Sequence, residues 1–400
     1  MTTALKTARV PSEESGLVFD IAYMKTMNCL ASSIFALVIA TGMTDSVYSQ
    51  AVDPAKALAT LQEKILSKGP HGEEPSPASS VSLTTEEFEK IRGLKAKAAI
   101  VMHYSSDWSE AQVAGLKSQF EKMGIEVIAV TDSGFNAERQ VANIEMVTAL
   151  NPQIIVSIPT DADITAAAYK KANQKGIKLV FMDNVPTGFE AGKDYVSVVS
   201  ADNYGNGVAS AHLMAKFLQN KGQIGLVYHA ANFFVTRQRY EAFKKTITEN
   251  YPEISIVAEQ GIREPDFFKD ASRATSVMLA ANPNLSGIWA VWDLPAEGVI
   301  SAARAEHRDD LVITTIDLGF NAAIEMARNK YIKGVGAQRP YDQGVTEALL
   351  AGYGLLGKPA PAYVALPALP VTRENLIDAW KSIYHSEVPA SITKAMEPPG

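Results

Sequence analysis

Cysteine is almost absent from this 400-residue chain: Cys29 is the single one. One thiol allows no internal disulfide, no zinc site built on cysteines and no iron–sulfur cluster. Histidine is scarce as well. The six (His71, His103, His212, His229, His307 and His385) are scattered without the spacing of metal ligands, so no metal is expected. There is no H-E-x-x-H, no P-loop and no G-x-S-x-G. A basic excess is also missing. The formal net charge is −7 and the isoelectric point is near 5.5, which argues against a nucleic-acid partner. What remains is ordinary globular composition, 47% hydrophobic and 20% charged. The length suits two lobes plus extra segments.

Residues 30–40, LASSIFALVIA, form an apolar run of signal-peptide length, with Lys25 before it and small residues after it. The run is too short to cross a bilayer as a helix. Val47 and Ser49 suit the positions three and one before a cut, so residues 1–49 are expected to be a leader cleaved near Ser49. Glu13, Glu14 and Asp20 fit a leader poorly, and Met24 or Met27 is the expected start. Cys29 precedes the apolar run, the wrong side for lipid attachment, so a soluble periplasmic product without cysteine is expected. Such a product suits an oxidising compartment, where a stray thiol is a hazard.

Residues 50–96 read as an N-terminal helical extension. Asp53 as N-cap and Pro54 in the first turn open a helix expected over 53–67. KGPHGEEPSPASS at 68–80 reads as a linker. Thr84-x-x-Glu87 is a capping box that opens a second short helix through Phe88 and Ile91. From Lys97 the pattern changes. Apolar runs at 98–102, 126–130, 154–158, 178–182, 195–199, 224–228, 254–258, 287–291, 312–316 and 334–338 alternate with amphipathic stretches. That alternation predicts an α/β chain with parallel sheets covered on both faces. So many strands exceed the usual size of one open sheet, which favours two doubly wound lobes.

Ligands bind beyond the carboxyl ends of strands in doubly wound sheets. The residues after the runs are therefore the candidates. They include Tyr104, Ser106, Asp107 and Trp108, then Asp183 and Asn184, Arg237, Trp292 and Asp293, Asp317, and Gln338. A sugar or polyol offers many hydroxyls, each needing a partner when buried, and weakly apolar C–H faces. Carboxylates accept from hydroxyls, an Arg fork donates, amides do both, and Trp rings cover the C–H faces. The blander role of an Asp after a strand is a helix N-cap, and Asp293 suits that equally. Between the two arginines of one helix, Arg237 is preferred over Arg239 because it lies nearer the helix start.

These motifs carry a resemblance. AAIVMHYSSDWSEAQVAGLKSQFEKMGIEV, IIVSIPTDADITAAAYKKANQKGIKLVFMDN, VVSADNYGNGVASAHLMAKFL, VTRQRYEAF, GIWAVWDLPAEGVISA, ITTIDLG and GVGAQRPYDQGV follow one another between about 97 and 375. In content and order they resemble the ribose-binding type of periplasmic binding protein, whose core LacI-like repressors share. The resemblance implies a first lobe of 97–201 plus 339–367 and a second of 202–338 plus 368–400. Three crossovers near 201–202, 338–339 and 366–369 would form the hinge. It puts Ser106, Trp108 and Asp183 on one wall, Arg237 and Phe267 on the other, and Asp317 and Gln338 near the hinge. Asn184 stands where the ribose pattern has Arg, and Trp292 where it has Asn, so a different pentose, a tetritol or pentitol, or a modified sugar is expected. The implied role is that of a monomeric solute-binding protein without cofactor, which closes on its ligand and serves a permease of an ABC transporter.

Three other classes are weaker. An enzyme lacks a convergent catalytic set, and the GYGLLG match at 352–357 follows a helical segment, so it reads as a helix end. A repressor would need a basic helix-turn-helix before the core, where acidic and proline-rich stretches stand instead. A periplasmic sensor that presents the same ligand to a chemoreceptor or kinase is indistinguishable by sequence.

Overall fold

The structure is a computed structural model, and it describes residues 52–231 and 233–398. The expected leader, its cleavage site, the alternative starts and Cys29 lie outside the described residues. Two sheets carry the rest. The first has seven strands, all parallel, in the spatial order Ser76–Pro77, Tyr363–Leu366, Ser197–Ala201, Lys178–Met182, Ile154–Ser157, Lys97–Met102 and Glu126–Asp132. The second has six: Leu369–Val371, Ile332–Ala337, Val312–Ile316, Leu285–Ala290, Gly222–His229 and Ile254–Ile262. Only the Leu369–Val371 pairing in that sheet is antiparallel.

The inner strands are short apolar runs because helices bury both their faces. Lys97–Met102 is buried at every position after Lys97, and Ile154–Ser157 throughout. The edge strands Glu126–Asp132 and Ile254–Ile262 are covered less completely and carry Glu126, Asp132 and Glu259, charges that discourage edge-to-edge pairing. In the first lobe Ile100, Val156, Leu116 and Phe120 pack on one face and Ile155, Tyr169 and Phe181 on the other. The second lobe is centred on Trp289, stacked on Phe243, with its indole N–H donating to Ser210 at 3.0 Å.

The Asp107–Lys122 and Pro340–Leu356 helices cover one face of the first sheet in unusually close contact. A Cβ on Gly115 would fall 2.0 Å from the Tyr341 carbonyl oxygen, and one on Gly344 would fall 2.1 Å from that of Gln112. The two glycines thus let each backbone enter the other's surface.

The chain passes between the sheets three times. Ser197–Ala201 leads into the Asn203–Phe217 helix, Ile332–Ala337 into Pro340–Leu356, and Tyr363–Leu366 into Leu369–Val371. All three passages lie side by side: Asp202 N–H donates to Leu366 O at 2.8 Å, and Leu369 pairs with Ala337.

The extension departs from its sequence reading in two ways. Its first helix, capped by Asp53, stops at Leu61, six residues early. The proline-rich stretch taken for a linker contributes the edge strand Ser76–Pro77 to the first sheet. An edge tolerates proline because one side needs no N–H. The capping box of Thr84 and Glu87 does open the Thr85–Leu94 helix. The extension runs from the second lobe, where Val52 N–H meets Asn250 O, to the first, where Tyr353 OH donates to Ser82 O at 2.8 Å. Midway, Leu66 and Ser67 are bonded to Asp202 at the first crossover.

Candidate binding site

The carboxyl ends of both sheets face one another across a cavity. About 490 Å³ of space lies between its walls, counting the part open to solvent. One wall, from the first lobe, carries His103, Tyr104, Trp108, Phe135, Ile158 and Asp183. The other carries His229, Phe233, Val235, Thr236, Arg239, Trp292, Asp293, Asp317 and Gln338. The lobes touch directly: Phe320 N–H donates to Asp107 Oδ2 at 2.6 Å, and the Phe135 and Phe267 rings meet edge to face at 5.3 Å.

Both central carboxylates sit on left-handed backbone just after a strand, Asp183 with φ 56° and Asp317 with φ 69°. Asp tolerates this conformation better than most residues, because its short polar side chain bonds locally. The turn aims each side chain across the strand end. Phe135 also has φ 56°. A bulky residue there is strained by about 1–3 kcal/mol, which the surrounding ring contacts must outweigh.

Asp317 is the polar centre. Arg239 Nη1 lies 3.3 Å from its Oδ2, and Gln338 Nε2 donates to its Oδ1 at 2.6 Å. Arg239 also donates to Asn203 Oδ1 at 2.7 Å and to Val291 O at 3.3 Å. Asp183 accepts from the Ser200 hydroxyl at 2.6 Å. Burial pushes its carboxyl up to about 6, against the pull of Ser200 and Arg239. Asp293 is pushed up to about 8, first by burial and then by the carboxylates of Asp317, Glu297 and Asp107. Burial drives His103 down to about 3, so its ring is neutral.

Rings line much of the remaining wall. Tyr104 stacks on Phe135 at 4.3 Å, with His103 edge-on to both. Trp292 meets His229 at 5.5 Å and Phe267 at 4.9 Å. Several buried polar atoms find no partner among the described residues. They include Trp292 Nε1, Trp108 Nε1, Gln338 Oε1 and His103 Nδ1, all on residues that line the cavity. Such atoms are costly unless something else satisfies them.

Of the residues expected from sequence, Tyr104, Trp108, Asp183, Trp292, Asp293, Asp317 and Gln338 converge on the cavity. The others do not line it. Ser106 caps the Asp107–Lys122 helix, and Asp107 makes the inter-lobe contact above. Asn184 donates to Pro159 O at 3.2 Å and lines the wider mouth. Phe267 stands behind Trp292 and His229.

The preference for Arg237 over Arg239 is corrected. The Arg237 side chain is 51% exposed, lies 4.0 Å from Glu241 and lines the mouth, whereas Arg239 is 4% exposed and reaches the cavity. Residues two apart on a helix point nearly opposite ways, so only one could face inward. Arg237→Ala is expected to change ligand affinity less than about threefold, as exposed positions usually do. Titration calorimetry of the variant checks this. Phe135, Phe233 and Thr236 were not expected at the site. His229 Nδ1 approaches Thr236 Oγ1 at 3.2 Å and its Nε2 approaches Glu264 Oε1 at 3.3 Å.

Two doubly wound lobes that enclose a polar and aromatic cavity at their strand ends define a two-lobed binding protein. The family model for the periplasmic binding protein domain matches residues 98–358, and the chain belongs to that family. It is 26% identical over 206 residues to the ribose import binding protein of Escherichia coli, covering 51% of this chain and 66% of that one, just under two thirds of the relative's length. Against the D-apiose import binding protein of Actinobacillus succinogenes it is 25% identical over 248 residues, 62% of this chain and 77% of the other. These relatives are binding proteins, not enzymes. The fold is similar to that of an ABC transporter solute-binding protein from Agrobacterium vitis bound with α-D-tagatopyranose. That match has a TM-score of 0.66 and 21% identity, and covers 72% of this chain and 99% of the other. An arabinose-binding protein from Geobacillus stearothermophilus aligns with a TM-score of 0.62 and 22% identity, over 70% and 98%.

Proposed function

We propose that this is the solute-binding protein of an ABC importer, exported to the periplasm, which encloses a small sugar or polyol and presents it to a membrane permease. The observation that carries this reading is the cavity between the strand ends. There Asp183, Asp317, Arg239 and Gln338 face aromatic rings, with buried polar atoms left for a ligand to satisfy. Hydroxyls would accept from the Arg239 fork and donate to the two carboxylates. Ring faces would cover the C–H surface. Lobe closure about the three crossovers would then exclude water and strengthen each of these bonds. The relatives named for ribose and D-apiose import support a ligand of pentose size. Asn184 supports one other than ribose, since it lacks the fork that the ribose pattern has at that position.

The test is a thermal-shift screen of the protein from residue 50 against pentoses, hexoses, their deoxy forms and C4–C6 polyols. A ligand at about a hundred times its Kd stabilises the folded state by about 2.7 kcal/mol. In a protein of this size that is a rise of roughly 5 °C. A rise confined to one or two related compounds is the expected result. No rise with any member, after unfolding and refolding to strip carried-over ligand, would sink the sugar reading.

A further inference from the structure

The cavity holds more acidic than basic groups. Three carboxyl groups line it, those of Asp183, Asp293 and Asp317, and among the described residues Arg239 is the one Lys or Arg side chain that does. Arg239 is committed to Asp317. The ring of His103 is neutral, and His229 Nε2 lies 3.3 Å from Glu264 Oε1. The position after Asp183 is Asn184, so no second fork is supplied there.

Asp293 is the least compensated of the three. Its Oδ1 accepts from the Leu294 N–H at 2.9 Å. The charged groups that face it are the carboxylates of Asp317, Glu297 and Asp107, and the phenols of Tyr104 and Tyr384 also sense it. Asp293 and Asp107 converge from opposite lobes over Gly319, where a Cβ would fall 2.1 Å from Asp293 Oδ2 and 3.2 Å from Asp107 Oδ2. Beside this cluster Trp292 is 5% exposed and its indole N–H has no partner among the described residues, while Gln338, 3% exposed, has a carbonyl oxygen that is likewise unpaired among them. An uncompensated buried carboxylate costs several kcal/mol, so Asp293 favours its neutral form until a cation pairs with it, and aromatic faces attract cations.

We propose that the ligand is cationic: an amino sugar or amino polyol, whose ammonium group pairs with Asp293 against the Tyr104 and Trp292 rings. This rests on the binding-protein reading above and narrows its substrate class. The hydroxylated frame meets Asp183, Asp317, Arg239 and Gln338. The ammonium lets Asp293 ionise as an ion pair.

Matched pairs test it by titration calorimetry: xylitol against 1-amino-1-deoxyxylitol, sorbitol against 1-amino-1-deoxysorbitol, and glucose against glucosamine. At pH 7 at least one amino compound is expected to bind at least thirtyfold more tightly than its hydroxyl counterpart. Asp293→Asn should cut that preference below about threefold while the melting temperature holds. The matched pairs decide the matter on the unaltered protein even if that variant does not fold. Burial and the neighbouring carboxylates raise the Asp293 pKa, so the empty cleft favours its protonated form. The ammonium needs the ionised carboxylate, so binding releases the proton. Affinity for an amino alditol should therefore rise with pH through the neutral range. Neutral compounds that bind as tightly as their amino counterparts in every pair overturn the cationic ligand and leave the sugar-binding reading standing. If no compound of either kind binds, both fall.

Discussion

Arg239→Ala is expected to abolish binding of any compound that shifts the melting temperature of the unaltered protein, with a loss of at least a hundredfold in affinity. The side chain is buried, and its guanidinium joins three segments: Asn203 at the first crossover, Val291 at a strand end, and Asp317 at another. Removing it strips the cavity of the only fork among the described residues and leaves the Asp317 carboxylate with Gln338 as its remaining side-chain donor among them. A hydrogen bond from a charged group is worth about 1.5–3 kcal/mol, and a fork can make two. The empty protein should weaken too, because breaking a buried ion pair from one side costs about 3–5 kcal/mol. Arg239→Lys keeps the charge and loses the fork, so it should recover stability better than affinity. Calorimetry with a denaturant melt of the same sample separates the two effects. Binding within threefold of the unaltered protein would show that the ligand sits elsewhere.

The two-lobed fold was legible because its inner strands are buried on both faces, which leaves continuous apolar runs that no surface helix would show. The central acids were legible for a related reason. Asp183 and Asp317 come directly after such runs, and strand ends are where this architecture places ligands. The choice between Arg237 and Arg239 failed for want of helix phase, yet the phase was present. Val235, Ala242 and Phe243 lie four before, three after and four after Arg239, on the buried face of the Phe234–Asn250 helix. Arg239 shares that face, and Arg237 does not. Phe135 left no such trace. It follows a Ser-Gly turn, and it enters the site through a left-handed backbone and a ring contact with the opposite lobe. The strand at Ser76–Pro77 was hidden as well. Its composition is that of a linker, and only its position beside Tyr363–Leu366 makes it a strand.

The extension is the part whose role the sequence left open, and Asp202→Ala is expected to expose it. Asp202 is fully buried at the first crossover. Its Oδ1 accepts from Gly205 N–H, Ser67 N–H and the Ser67 hydroxyl, each at 2.8 Å, and its Oδ2 accepts from Leu66 N–H at 2.8 Å. One carboxylate therefore caps the Asn203–Phe217 helix and fastens the extension to the hinge. Burial raises its pKa, with those hydrogen bonds opposing the rise. Alanine would leave three backbone N–H groups without their acceptor, at about 1–3 kcal/mol for each that water cannot reach. A loss of roughly 3–5 kcal/mol in the denaturant melt is expected, larger than an ordinary surface change by a wide margin. Cleavage between residues 62 and 75 under limited proteolysis should rise in step, since the Tyr204 N–H bond to the Ser67 hydroxyl at 2.9 Å, the Gln238 bond to Lys68 O at 3.0 Å, the packing of Ile65 and the Ser76–Pro77 strand would then be left to hold that stretch. An unchanged midpoint with an uncut extension would mean that the strap is held by its two ends, and that the hinge can turn without it. A lowered midpoint with early cleavage would mean that lobe opening must work against the extension, whose fastening point is the crossover itself.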